Sequence, residues 1–208
     1  MISTEKVTEI IYNIADAIEK NKEYLTELDA SIGDGDHGIN MSKGFTYVKE
    51  ALQKGESKNI GEIFKKTGMA LVSHVGGASG PLYGTAFMKS AMTVNGKESI
   101  DANDFVNILK ASIDGVVMRG KAKQGEKTML DALIPAYEAS KKSLGNGEEY
   151  KEVLKNAAEA AEEGAKKTEE IIATKGRASY LGERSIGHRD PGAASTSIIL
   201  KAVYDSIK

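Results

Sequence analysis

The sequence predicts an all-α protein, a bundle or barrel of eight antiparallel helices. Three observations carry this. Apolar residues recur at helical spacing along most of the chain. No segment sustains the period-two alternation with β-branched enrichment that marks a strand, so strands are not expected. The connections read as short Gly/Asn turns, Asn95-Gly96 and Gly145-Asn146-Gly147, and there are only three prolines, so consecutive helices should run antiparallel.

The elements follow in order. After a Ser3/Thr4 start, Val7, Ile10, Ile11, Ile14 and Ile18 form one apolar stripe. Further helices are expected near 38–54, 59–74 and 80–93. Phe105, Ile108, Leu109, Ile113, Val116 and Val117 mark the next, with Gly120 where a C-cap belongs. Another follows near 128–143. Tyr150, Val153, Leu154, Ala157, Ala161, Ala165, Ile171 and Ile172 mark a long helix, and its AEAAEEGAKKTEE run reads as a solvated face. The last helix, near 192–207, starts at Asp190-Pro191-Gly192, with Asp190 as N-cap and Pro191 at the first helical position. One stretch resists the scheme. TKGRASYLGERSIGHRD, from Thr174 to Asp190, has no stripe and carries several basic residues. A connection of this length reads as a lid or binding loop.

Residues 1–208 read as one domain, with no fixed-period repeat and no linker. A formal net charge of -2 offers no basic field for nucleic acid or an anionic membrane. The absence of cysteine excludes disulfides and thiolate metal sites, and it fits a reducing compartment. The N-terminal segment interleaves charges with apolar residues, unlike a secretory signal, and no apolar run reaches the ~20 residues of a membrane span. The expectation is a cytoplasmic protein with neither membrane nor nucleic-acid partners.

LDASIGDGDHGINM, residues 28–41, is the most informative stretch. It contains a literal G-x-G-x-x-G, but no buried strand precedes it and a pyrophosphate would meet bare aspartates, so it is not a dinucleotide fingerprint. Nor is it an EF-hand, since Ile39 and Phe45 stand where Gly and Glu are needed. Asp36 as N-cap of a helix from His37 explains Asp36 but not its neighbours Asp29 and Asp34. Three carboxylates within eight residues need relief, from a hard cation such as Mg²⁺ or from wide solvation. A second stretch, Gly76 to Gly84, lacks the ending of a P-loop. Its small residues suit either phosphate approach at a helix start or close helix packing. Three glycine-rich helix starts brought together would cradle phosphate, with Arg177 or Arg184 as compensating charge. The only histidines are His37, His74 and His188. None reads as a covalent phosphate carrier, and His74 reads as structural.

Four blocks, LDASIGDGDHGINM, KTGMALVSHVGGASGPLYG, RGKAKQGEKTMLDAL and KGRASYLGERSIGHRDPGAAS, closely resemble the ADP-binding L subunits of bacterial dihydroxyacetone kinases. The blocks stand in family order from near Tyr24 to the C-terminus. The related fatty-acid kinase domains usually read D-G-D-T-G, so His37 favours the dihydroxyacetone branch. The resemblance implies an eight-helix antiparallel barrel with the nucleotide at one end, bound through two Mg²⁺ ions. It implies that Asp29, Asp34 and Asp36 hold the metals and that His37, Gly38, Ile39 and Asn40 line the nucleotide. Ala78 and Ser79 would meet the phosphates, and Gly120 and Met129 would flank the adenine. Arg177, Asp190, Pro191 and Gly192 would complete the site, with no residue acting covalently and Arg177 the one candidate for a catalytic part. Three aspartates and an ADP of about -3 face two Mg²⁺, so metal and nucleotide should bind cooperatively.

Without a substrate domain, the chain resembles the separate subunit rather than the fused, ATP-dependent branch. Bound ADP would then be phosphorylated by a phosphohistidine protein of the phosphotransferase system, the M subunit. The resulting ATP would serve dihydroxyacetone held on a K subunit. A homodimer is compatible with this reading. The alternatives are an ADP-dependent regulatory module docking on a transcription factor, the nucleotide domain of an ATP-dependent ketose kinase, and a stand-alone metal-dependent phosphatase.

Overall fold

A computed structural model describes residues 1–207. Among these residues nine α-helices form: α1 (Thr4–Lys20), α2 (Lys22–Ile32), α3 (His37–Gln53), α4 (Ile60–His74), α5 (Ser79–Thr93), α6 (Ala102–Gly120), α7 (Leu130–Gly145), α8 (Tyr150–Lys167) and α9 (Pro191–Asp205). Eight of them close a ring. From α3 onward each helix packs on the next, α9 returns to α1, and α1 packs on α3. The ring is the expected eight-helix barrel. Its wall interior is filled by fully buried side chains from many helices, among them Ile11, Ile18, Phe45, Ile63, Leu71, Leu130 and Leu154.

Local signals set four of the helix starts. Ser3 caps α1 by accepting from the Lys6 amide, and Asn59 and Asp190 do the same for α4 and α9. Asp101 and Asp104 form a reciprocal capping box at α6. The helices cross closely where glycine removes a side chain. At Gly164 of α8, an added Cβ would come within 2.1 Å of the Asp131 carbonyl of α7.

The ninth helix, α2, lies outside the ring against α3 and α9. Its buried face is Leu25, Asp29 and Ile32, at i, i+4 and i+7. A carboxylate at the middle position hides the apolar period, so the sequence reading missed this helix. Four other expectations are corrected. A two-residue antiparallel pair, Ile2–Ser3 with Ser99–Ile100, does form, too short to show alternation. The long helix stops at Lys167, and a 3₁₀ turn, Thr168–Glu170, replaces its last predicted turn. Gly120 is the last residue of α6 rather than its cap; that place belongs to Lys121, at φ 53°. The loop after Thr174 contains 3₁₀ structure, Arg177–Ser185, broken at Gly182. No helix among the described residues is long and apolar enough to cross a membrane.

Candidate functional site

The antiparallel order brings four helix starts, those of α3, α5, α7 and α9, to one end of the barrel, together with the last turns of α2 and α6. They surround a cavity of about 480 Å³. Each helix start brings the positive end of its dipole to this end of the barrel, and carboxylates already accept from amides at the starts of α3, α7 and α9. The sequence suggested three such starts; the fourth, at Thr128 and Met129, is supplied by α7.

The acidic stretch enters this end from α2. Asp29 comes from the helix's last turn, and Asp34 and Asp36 from the following turn. One carboxylate oxygen of each lies within 4.8 Å of the others. Asp36 occupies the N-cap position of α3, but its side chain does not cap. Asp29 does, its Oδ2 accepting from the amides of Asp36 at 2.9 Å and His37 at 3.1 Å. That corrects the expectation for Asp36 and leaves its carboxylate uncommitted to the helix. Arg177 reaches across from the long loop to Asp34, Nη2 to Oδ2 at 2.9 Å.

A buried polar chain ties the helix starts together. His37 Nδ1 lies 3.1 Å from Ser79 Oγ of α5, and Nε2 lies 2.9 Å from Ser195 Oγ of α9. Ser195 in turn meets the Tyr83 hydroxyl at 2.7 Å, and Tyr83 also reaches Thr196 at 2.8 Å. Burial pulls the His37 imidazole down to about 4 against the charge of Asp29, so the ring is neutral near pH 7. Burial pushes the Tyr83 phenol up to about 12, keeping its proton on the oxygen.

A DAK2 domain model matches residues 31–205 of the chain. The chain belongs to the DAK2 domain family. The ADP-binding subunit DhaL of the PEP-dependent dihydroxyacetone kinase of Escherichia coli strain K12 is 42% identical over 200 residues, 96% of this chain and 95% of that protein. The ADP-binding subunit DhaL of PEP-dependent dihydroxyacetone kinase 1 of Listeria innocua is 44% identical over 194 residues, 93% of this chain and 92% of that protein. The crystal structure of the dihydroxyacetone kinase of C. freundii in complex with AMP-PNP and Mg²⁺ matches with a TM-score of 0.73 at 25% identity. That match covers 96% of this chain and 33% of the longer kinase chain, so this chain spans about a third of that kinase.

In this chain, Asp29, Asp34, Asp36, His37, Ala78, Ser79, Gly120, Met129, Arg177, Asp190, Pro191 and Gly192 all line the cavity. Gly38, Ile39 and Asn40 do not. Gly38 lies in the α2–α3 crossing, Ile39 is half exposed, and the Asn40 side chain sits against Gly76. The glycines of 76–84 divide between the two readings. Gly76 and Gly77 line the cavity, whereas Gly80 and Gly84 admit close helix packing. The oxygen-only carboxylate set fits a hard divalent ion, and the cavity size fits a nucleotide-sized ligand.

Sequence reasoning missed Tyr83, Ser195, Thr196 and Lys127. The first three are ordinary helix-interior types whose partners sit on other helices. Lys127 did carry a signal. A cation just before a helix start opposes the dipole and requires other partners.

Asp190 gives a pH prediction. Burial pushes its carboxyl up to about 7, aided by Asp131 and Asp29 and opposed by the Ala193 amide and Lys127. The folded state therefore keeps the proton while the unfolded state loses it near the usual aspartate value. This group's contribution falls as pH rises from about 4 to 7. Asp190→Asn preserves the oxygen that accepts from Ala193 at 2.7 Å. In urea unfolding without metal or nucleotide, the variant should match wild type near pH 4 and exceed it by on the order of 4 kcal/mol at pH 8. A difference that does not change with pH would mean Asp190 is ionised in the fold.

Proposed function

We propose that this chain is the ADP- and Mg²⁺-binding subunit of a multi-component dihydroxyacetone kinase. The observation that carries the reading is the meeting of three carboxylates and four helix starts on one cavity, in a DAK2 domain similar over nearly its whole length to ADP-binding subunits. Asp29, Asp34 and Asp36 hold two Mg²⁺ ions, which neutralise phosphate charge and compensate the aspartates. ADP bound there supplies the acceptor for a phosphoryl group from a phosphohistidine protein, the M subunit, which then passes to dihydroxyacetone on the K subunit.

The chain's own residues position and stabilise. Amides at the starts of α5 and α9, with the Ser79 hydroxyl held by His37, face the phosphates. Leu82, Val116, Gly120 and Met129 form the apolar wall for the base. Arg177 stands beside Asp34, where it balances charge on the transferring group. With His37 neutral and engaged on both nitrogens, no histidine in the cavity is free to carry phosphate.

The first test is to purify the protein without added nucleotide, denature it and identify by chromatography what is released. Near-stoichiometric ADP with magnesium is the expected result and marks a permanently loaded subunit. An empty protein that binds ATP only weakly points instead to the ATP-exchanging branch. Steady phosphate release from ATP without partners points to a phosphatase.

A further inference from the structure

Lys127 is 1% exposed, although it is a lysine just before the start of α7. Its backbone is left-handed, φ 62°, a conformation unfavourable for a residue with a Cβ. Its ammonium meets four backbone carbonyls: Thr168 at 2.6 Å, Ile171 at 3.2 Å, Ser185 at 2.7 Å and His188 at 2.5 Å. An ammonium has three protons, so four acceptors saturate it and leave none for a ligand. The acceptors belong to both ends of one loop. Between them that loop carries Arg177 to Asp34, and immediately after them it delivers Asp190 to the start of α9. The same junction is knit by Asp190 N–H donating to Thr168 Oγ1, Ala173 N–H to Ser185 Oγ, and Thr174 N–H to the Glu126 carbonyl. Burial lowers the affinity of Lys127 for its proton, and the nearby Asp190 and Glu169 partly oppose that.

We propose that Lys127 is a positioning residue for this site: it clamps the two ends of the 168–190 connection and so sets Arg177 and the start of α9 against the cavity. This rests on the function proposed above, and the first readout below does not depend on it.

Lys127→Met keeps the stem and removes the charge. Trypsin cleavage at Lys175, Arg177 and Arg184 of the nucleotide-free protein should speed up at least about tenfold, while the barrel helices stay protected. Magnesium-dependent ADP affinity, by calorimetry, should fall about tenfold or more. The combined loss should fall short of the sum of this loss and that of Arg177→Ala, because Lys127 acts in part through the same guanidinium. Additive losses would reduce Lys127 to general stability and overturn the proposal, as would unchanged loop cleavage. Should Lys127→Met fail to fold, Lys127→Ala in the presence of propylammonium, against tetramethylammonium, replaces it. Loop protection restored by the amine that can donate supports the clamp; equal protection in both salts overturns it. Wild-type protein that binds no ADP would sink the proposed function while leaving the loop readout decisive for Lys127.

Discussion

Asp34→Ala should abolish magnesium-dependent ADP binding while leaving the fold intact. Asp34 lies in the turn between α2 and α3, one-third exposed, and pairs with an exposed Arg177. An exposed pair of this kind contributes at most about 1 kcal/mol, so urea unfolding of the metal-free variant should shift little. Binding responds quite differently. Altering residues that merely orient a metal ligand costs about 10- to 100-fold, so loss of a ligand should cost at least about 100-fold. Calorimetry with ADP, with and without Mg²⁺, checks both halves. Unchanged affinity in magnesium would remove Asp34 from the metal centre. Asp29→Ala is the less clean experiment, because Asp29 also accepts from the Asp36 and His37 amides. Its loss should lower stability by about 1 kcal/mol before any metal is added.

That difference between two neighbouring aspartates shows what the sequence could and could not convey. Three carboxylates within eight residues demanded relief, and that pressure is visible in one dimension. Which of them also serves the backbone is not, because it depends on α2 folding back along α3. α2 itself was hidden by Asp29, which takes an apolar position in its stripe. The barrel was readable because the period of its apolar faces survives in sequence. The two-residue strand pair was not, since Ile2–Ser3 and Ser99–Ile100 are too short to show a period. The glycines from 76 to 84 had two physical readings, and both apply, at different glycines. Lys127 lay inside a recognisable block, yet its acceptors are 41 to 61 residues away and all are main-chain carbonyls. Its place before a helix start signals a need for partners, but no side-chain pattern identifies main-chain carbonyls as those partners.

Gly38→Ala should damage stability and binding together. A Cβ at Gly38 would lie 2.1 Å from the Lys22 carbonyl oxygen, 2.5 Å from Thr26 Oγ1 and 2.8 Å from the Thr26 amide nitrogen. Two of these three atoms are backbone, so no rotamer change clears them, and α2 must move away from α3. Overpacking of this kind costs about 1–3 kcal/mol. The displaced helix carries Asp29, whose Oδ2 caps the amides of Asp36 and His37. The metal cluster should therefore open along with the helix crossing. Gly55→Ala is the control: nothing lies within 4 Å of its added Cβ and its φ is not positive. It should melt as wild type. Gly38→Ala should unfold at lower urea and bind ADP with magnesium more weakly, and high magnesium and ADP should recover part of the lost stability by mass action. That recovery separates it from Asp34→Ala, which should keep its stability and gain nothing from ligand. Wild-type melting and binding in Gly38→Ala would show that α2 is not seated on α3 at this crossing, and the position of Asp29 would have to be built another way.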